Sequence, residues 1–197
     1  MTSQSNTEDS PTPNGASTAT AHSSSAHQNE RTFFGHPFGL ANLSGVEMWE
    51  RFSFYGLQAL LAYYLYYTVA DGGLGMEQST ALSIVGAYGG LVYLTGVAGA
   101  WVADRILSAE RTLFYSAVLV MLGHISLALL PGYVGVTLGL VFIAVGSGAL
   151  KTTSQVVLGS LYSHDDPRRD GGFSIYYMGV NIGSLLGPLT VSYTHLR

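Results

Sequence analysis

The chain has 197 residues and a formal net charge of -4, and only 10% of its residues are charged while 48% are hydrophobic. A water-soluble domain carries about 25% charged residues, so this balance belongs to a chain whose solvent is lipid. The acidic excess, with no basic cluster to neutralise phosphates, excludes a nucleic-acid partner, and the absence of Cys excludes disulfides, thiolate metal sites and cysteine nucleophiles.

Residues 1–32 stand apart. They are rich in Ser, Thr, Ala and Asn, with Met1 as the single large apolar residue, and cannot bury enough surface to offset chain entropy. A disordered cytoplasmic tail is expected there, with His22 and His27 as solvated spacers. The tail lacks the apolar core of about 7–15 residues that a secretory signal needs.

From Phe33 onward, long apolar segments alternate with short polar connections. Membrane helices are predicted at about 40–69, 80–103, 111–130, 134–161 and 173–194, the first four each reaching the roughly 20 residues that cross the hydrocarbon. Arg31 precedes the first helix, Arg105 and Arg111 lie in the second connection, and Arg168 and Arg169 in the fourth; the first and third connections have no Lys or Arg. The positive-inside rule therefore predicts a cytoplasmic N-terminus. Small residues four apart, Gly86 with Gly90, Gly96 with Ala100, and Gly179, Gly183 and Gly187, predict close helix packing.

The first helix contains "GVEMWERFSFYG", which sets two glutamates and an arginine inside an apolar span. At about 100° per residue, Glu47, Glu50, Arg51, Phe54 and Gln58 share one face, and Glu47 is placed to pair with Arg51 one turn on. Lys151 is near the middle of the fourth span, with Ser147, Ser154 and Gln155 on its face. Each charge costs about 2.5–3.5 kcal/mol at a membrane-helix centre, so the two acids and two bases are expected to neutralise each other across a cavity between the first and fourth helices. Asn181 adds a polar group to the fifth span, with Tyr177 and Ser184 a turn away. His124 reads as a packing residue with its ring nitrogens satisfied. Ser147 lies one turn from Lys151, but no motif supports an enzyme dyad there. No enzymatic activity, cofactor or metal is expected.

These motifs carry a family resemblance. "VEMWERFSFYG" resembles the ExxERFxYYG element of the proton-dependent oligopeptide transporters, and "FSIYYMGVNIG" resembles their fifth-helix signature. "GAWVADRILSAER" is similar to the loop after helix two in the wider major facilitator superfamily, built around Asp104 and Arg105. The resemblance covers about residues 33–190 and implies an all-α polytopic membrane protein, the first five helices of a major facilitator N-terminal bundle. It also implies proton-coupled symport of di- and tripeptides across the cytoplasmic membrane, with peptide, protons and the lipid bilayer as partners. Proton coupling falls on Glu47, Glu50, Arg51 and Lys151, and substrate binding on Arg51, Tyr55, Tyr93, Lys151 and Asn181.

The departures are specific. Phe54 stands where the family commonly has Tyr, Thr152 and Thr153 replace a usual Pro-Asn, and Gln58 occupies a position where some relatives carry arginine. Family members have at least twelve helices in two halves with substrate bound between them, so residues 33–197 read as a truncated N-terminal half lacking its C-terminal partner. The ending "SYTHLR" reads as a truncated or artefactual terminus. Transport of nitrate or another small anion is the runner-up reading, and a non-transporting receptor or assembly subunit the alternative from another class.

Overall fold

The computed structural model describes residues 32–195, with side chains through Thr194. The expected tail lies outside the described residues except for Thr32, and so do His22, His27, Arg31 and Arg197. Thr32 belongs to a short antiparallel hairpin, β1 (Thr32–Phe33) with β2 (His36–Pro37). Phe34 and Gly35 turn the hairpin at φ 50° and 79°. A sequence scan for long apolar runs has no means of seeing so short an element.

Five helices follow: α1 (Phe38–Tyr66), α2 (Gln78–Arg105), α3 (Ala109–Leu129), α4 (Gly132–Ser160) and α5 (Arg169–His195). The fold is an all-α polytopic membrane bundle. α2, α3 and α4 are each long and apolar enough to cross a membrane. α1 and α5 match them in length, with 29 and 27 residues, and carry the polar groups that lower their apolar average. Pro37 precedes α1 and Pro131 precedes α4, where a missing N–H leaves no bond unmade. Ser108 caps α3, its hydroxyl accepting from the Arg111 N–H.

Glycines set how the helices meet. A Cβ on Gly179, Gly183 or Gly187 would fall 3.1, 2.1 and 2.5 Å from the carbonyl oxygens of Ser44, Met48 and Phe52, so α1 and α5 run parallel and nearly in backbone contact. α4 meets α2 where Gly148 faces Val92, Thr95 and Gly96, and meets α3 where Gly146 faces Ser116 and Val120. The predicted Gly86/Gly90 pair is corrected: a Cβ on either would meet nothing within 4 Å among the described residues. The close approaches of α2 are at Gly96 and Gly99, against Gly148 and Ala149.

Thr152 and Thr153 leave α4 unbroken from Gly132 to Ser160. Their hydroxyls donate back to the carbonyl of Ala149 at 3.1 and 2.5 Å, the usual way a helical threonine satisfies itself in an apolar setting. Two apolar clusters fill the interior. One holds Leu40, Leu43, Leu158, Tyr162 and Tyr176; the other holds Phe54, Leu61, Leu65, Tyr88 and Ile143 among others. Along α1 the charged residues 47–51 stand between Leu43 of one cluster and Phe54 of the other, so a polar layer is sealed by apolar layers above and below.

The hairpin is fastened to the α4–α5 connection. The Arg168 guanidinium donates to the Gly35 carbonyl at 2.9 Å and grips both oxygens of Asp166, while His36 Nδ1 and the Tyr162 hydroxyl are 3.0 Å apart. The Arg168 fork holds the Asp166 carboxyl below its ordinary range.

Candidate functional site

The polar layer is built on the α1 stripe. Glu47, Glu50 and Arg51 are 2%, 7% and 5% exposed. Arg51 Nε lies 2.5 Å from Glu50 Oε2 and 3.4 Å from Glu47 Oε1, and its Cζ rests 5.2 Å above the Phe54 ring centroid. Nη2 of the same guanidinium is buried without a partner among the described residues.

α4 completes the layer with hydroxyls and contributes no charge to it. Ser147 donates to Glu50 Oε1, and Ser154 donates to Glu47 Oε2 at 3.0 Å. Tyr176 of α5, 2.7 Å from the Ser154 oxygen, is then placed to donate to it. Rising numbers on α4 meet falling numbers on α1, as antiparallel neighbours require.

The predicted four-charge neutralisation is corrected here. Lys151 makes no ion pair among the described residues; its ammonium lies 4.6 Å above the ring centroid of Tyr93 on α2, a cation–π contact. Tyr93 is 67% exposed. Beside this pair, Gln155 donates to the Tyr177 hydroxyl of α5 at 3.4 Å, and Asn181 is exposed one turn further along. The predicted site residues therefore divide in two: Glu47, Glu50 and Arg51 are buried in the bundle, while Tyr93, Lys151 and Asn181 lie on α2, α4 and α5 respectively in half-buried or exposed positions. Tyr55 is half-buried, its ring edge-on to Phe54 at 5.2 Å. Asp104 and Arg105, both exposed at the end of α2, have no hydrogen bond or ion pair among the described residues.

His124 is satisfied as predicted. Its Nδ1–H donates to the Val120 carbonyl at 2.8 Å, which leaves Nε2 to accept from Ser53 of α1. Both residues line a cleft of about 740 Å³ between α1 and α3 that also reaches Glu50. Sequence reasoning gave no role to Tyr176 or Tyr88, and gave Ser147 and Ser154 only a face. The spacing of seven between the serines, two helical turns, was the available signal for a second polar stripe opposing the acids.

The POT family model matches residues 110–196, the stretch that supplies Ser147, Lys151, Ser154, Tyr176 and Asn181. The chain belongs to the POT family. Among POT relatives, a di-/tripeptide transporter of Lactococcus lactis subsp. lactis (strain IL1403) is 50% identical over 167 residues, 84% of this chain and 34% of that protein. The uncharacterized transporter YclF of Bacillus subtilis (strain 168) is 48% identical over 162 residues, 82% of this chain and 33% of that protein. A crystal structure of the peptide transporter POT in complex with sulfate superposes with a TM-score of 0.80 at 47% identity, covering 83% of this chain and 33% of that one. A POT family transporter in complex with 5-aminolevulinic acid superposes equally well, TM-score 0.80 at 43% identity, covering 83% of this chain and 34% of its own. The chain thus spans about a third of the length of the curated relatives it matches.

Proposed function

We propose that this chain forms part of a proton-coupled symporter of di- and tripeptides in the cytoplasmic membrane. In this reading its N-terminus is cytoplasmic, and a second half of the same transporter faces Lys151 and Asn181. The observation that carries the reading is a buried cluster of two carboxylates and one guanidinium, beside a lysine that no carboxylate among the described residues occupies. With both acids ionised the cluster holds one negative charge in excess, and one proton neutralises it. A cluster poised in this way suits proton transfer better than it suits stability, because buried ion pairs add little over apolar packing.

The coupling runs through Arg51. Lys151 is free to receive a peptide carboxylate, while Arg51 is shared between Glu47 and Glu50. A peptide that draws the guanidinium away leaves two acids in a low-dielectric layer with serine hydroxyls as their remaining donors, and one carboxylate takes up a proton. Linkage makes this reciprocal: protonation loosens the hold on Arg51 and tightens peptide binding by the same factor. Tyr93, Tyr55 and Asn181 supply polar groups toward the peptide. The two Lactococcus lactis relatives, both di-/tripeptide transporters, support this substrate class.

The test uses the complete transporter that contains this chain, reconstituted in liposomes. With the outside acidic, a labelled dipeptide is expected to accumulate above its equilibrium level. Absence of accumulation, or pH-driven accumulation of nitrate in its place, would overturn the proposal.

A further inference from the structure

Tyr88 of α2 is 4% exposed, and its hydroxyl has no hydrogen-bond partner among the described residues. Buried hydroxyls are nearly always bonded, and one that is not calls for an explanation. Its ring is stacked on Phe54, with centroids 5.7 Å apart and planes 29° from parallel, and the same Phe54 ring carries the Arg51 guanidinium. Arg51 in turn is held by Glu50 at 2.5 Å, so Tyr88, Phe54, Arg51 and Glu50 form one continuous chain of contacts. A hydroxyl without a partner among the described residues thus belongs to a ring that shares Phe54 with the arginine of the coupling cluster.

The groups facing Glu50 come from every neighbouring element. Arg51 and Glu47 are on its own helix, Ser147 approaches from α4, Tyr88 of α2 stacks on Phe54 one turn along α1, and His124 of α3 lines the same cleft. Tyr176 of α5 acts on Glu47 through Ser154. Ser147 occupies Glu50 Oε1 and Arg51 occupies Oε2. When Arg51 leaves, Oε2 is vacated.

We propose that Tyr88 is a positioning residue for proton coupling, its hydroxyl taking over the vacated oxygen of Glu50 when Arg51 turns to the substrate. This rests on the proton-coupled reading above. The handover keeps the carboxyl group in place and favours its ionised form until a proton arrives, so Tyr88 sets the pH at which Glu50 loads. It also restores a hydroxyl to the layer where Phe54 replaces the tyrosine common in the family.

The test follows dipeptide accumulation by the complete transporter in liposomes against external pH, with counterflow at equal pH alongside. Tyr88→Phe keeps the ring stack and removes the donor, so the midpoint of the pH profile should move upward by about one unit. A fluorinated tyrosine at position 88, isosteric and a stronger donor, should move it downward. A profile for Tyr88→Phe that superimposes on the parent, or a rate lowered equally at every pH, overturns the role of Tyr88. If Tyr88→Phe fails to fold, the fluorinated variant decides alone, and an unmoved midpoint overturns the proposal. A parent that shows counterflow without pH-driven accumulation sinks the transport reading itself, which is a different result.

Discussion

Gly183→Ala tests the packing that holds the charged layer. A Cβ at this position would lie 2.1 Å from the Met48 carbonyl oxygen and 3.1 Å from Arg51 Cβ, where ordinary contacts begin at 3.4 Å. Both near atoms are close to the α1 backbone, so neither can swing aside, and α5 must move off α1 by roughly 1 Å. Overpacking of this kind costs about 1–3 kcal/mol, partly offset by about 1 kcal/mol of helix propensity gained on replacing Gly with Ala. A chain of this size shifts by about 2–4 °C per kcal/mol, so the net cost of about 1 kcal/mol should lower the unfolding midpoint of Gly183→Ala by about 3 °C. The structure supplies its own series: Gly187→Ala meets the Phe52 oxygen at 2.5 Å, Gly179→Ala meets the Ser44 oxygen at 3.1 Å, and Gly86→Ala meets nothing. Thermal unfolding in detergent, followed through Trp49 and Trp101, should rank Gly183 lowest, then Gly187, Gly179 and Gly86, with Gly86→Ala at or above the parent. A Gly183→Ala protein as stable as Gly86→Ala would refute the α1–α5 contact.

Lys151→Gln in the complete transporter should abolish proton-driven peptide uptake, because loss of a charged hydrogen bond of about 1.5–3 kcal/mol weakens carboxylate capture roughly 10- to 150-fold; uptake at the parental level would return Lys151 to a packing role over Tyr93. Asp166→Asn should release the hairpin from the α4–α5 connection, seen as faster amide exchange at residues 33–36, and unchanged exchange would refute the clasp. Since Arg168 depresses the Asp166 carboxyl, its contribution is full above about pH 4 and disappears as pH falls through the folded-state value. Acidification should therefore mimic Asp166→Asn in that range and not near neutrality.

Much of this was legible in the sequence because lipid imposes strong patterns. The helix positions followed from apolar run length, and the α1 stripe from its 3, 4, 7 spacing, since burying three charges leaves few other arrangements. What failed was the choice of neighbour. Lys151 lies about 40° around the α4 wheel from Ser147 and about 60° from Ser154, near enough to be read as one face, yet the serines turn to α1 while the lysine turns to Tyr93 of α2. A helical wheel orders residues around one helix and contains nothing about which partner stands opposite. Gly86 and Gly90 failed for the same reason: their spacing permits a close approach, but no helix among the described residues approaches there. Tyr88 and Tyr176 were invisible among many apolar aromatics, because their significance lies in contacts with residues far away in the chain.

In the proposed mechanism the buried α1 acids carry the proton. The most direct measurement compares pH-driven accumulation and counterflow of a dipeptide, side by side, for Glu50→Gln and Glu47→Gln in the complete transporter. A glutamine at the proton-carrying position fixes the neutral form, so peptide should still exchange down its own gradient while the pH gradient no longer concentrates it. If both variants concentrate peptide as the parent does, the acids do not carry the proton and the account is wrong.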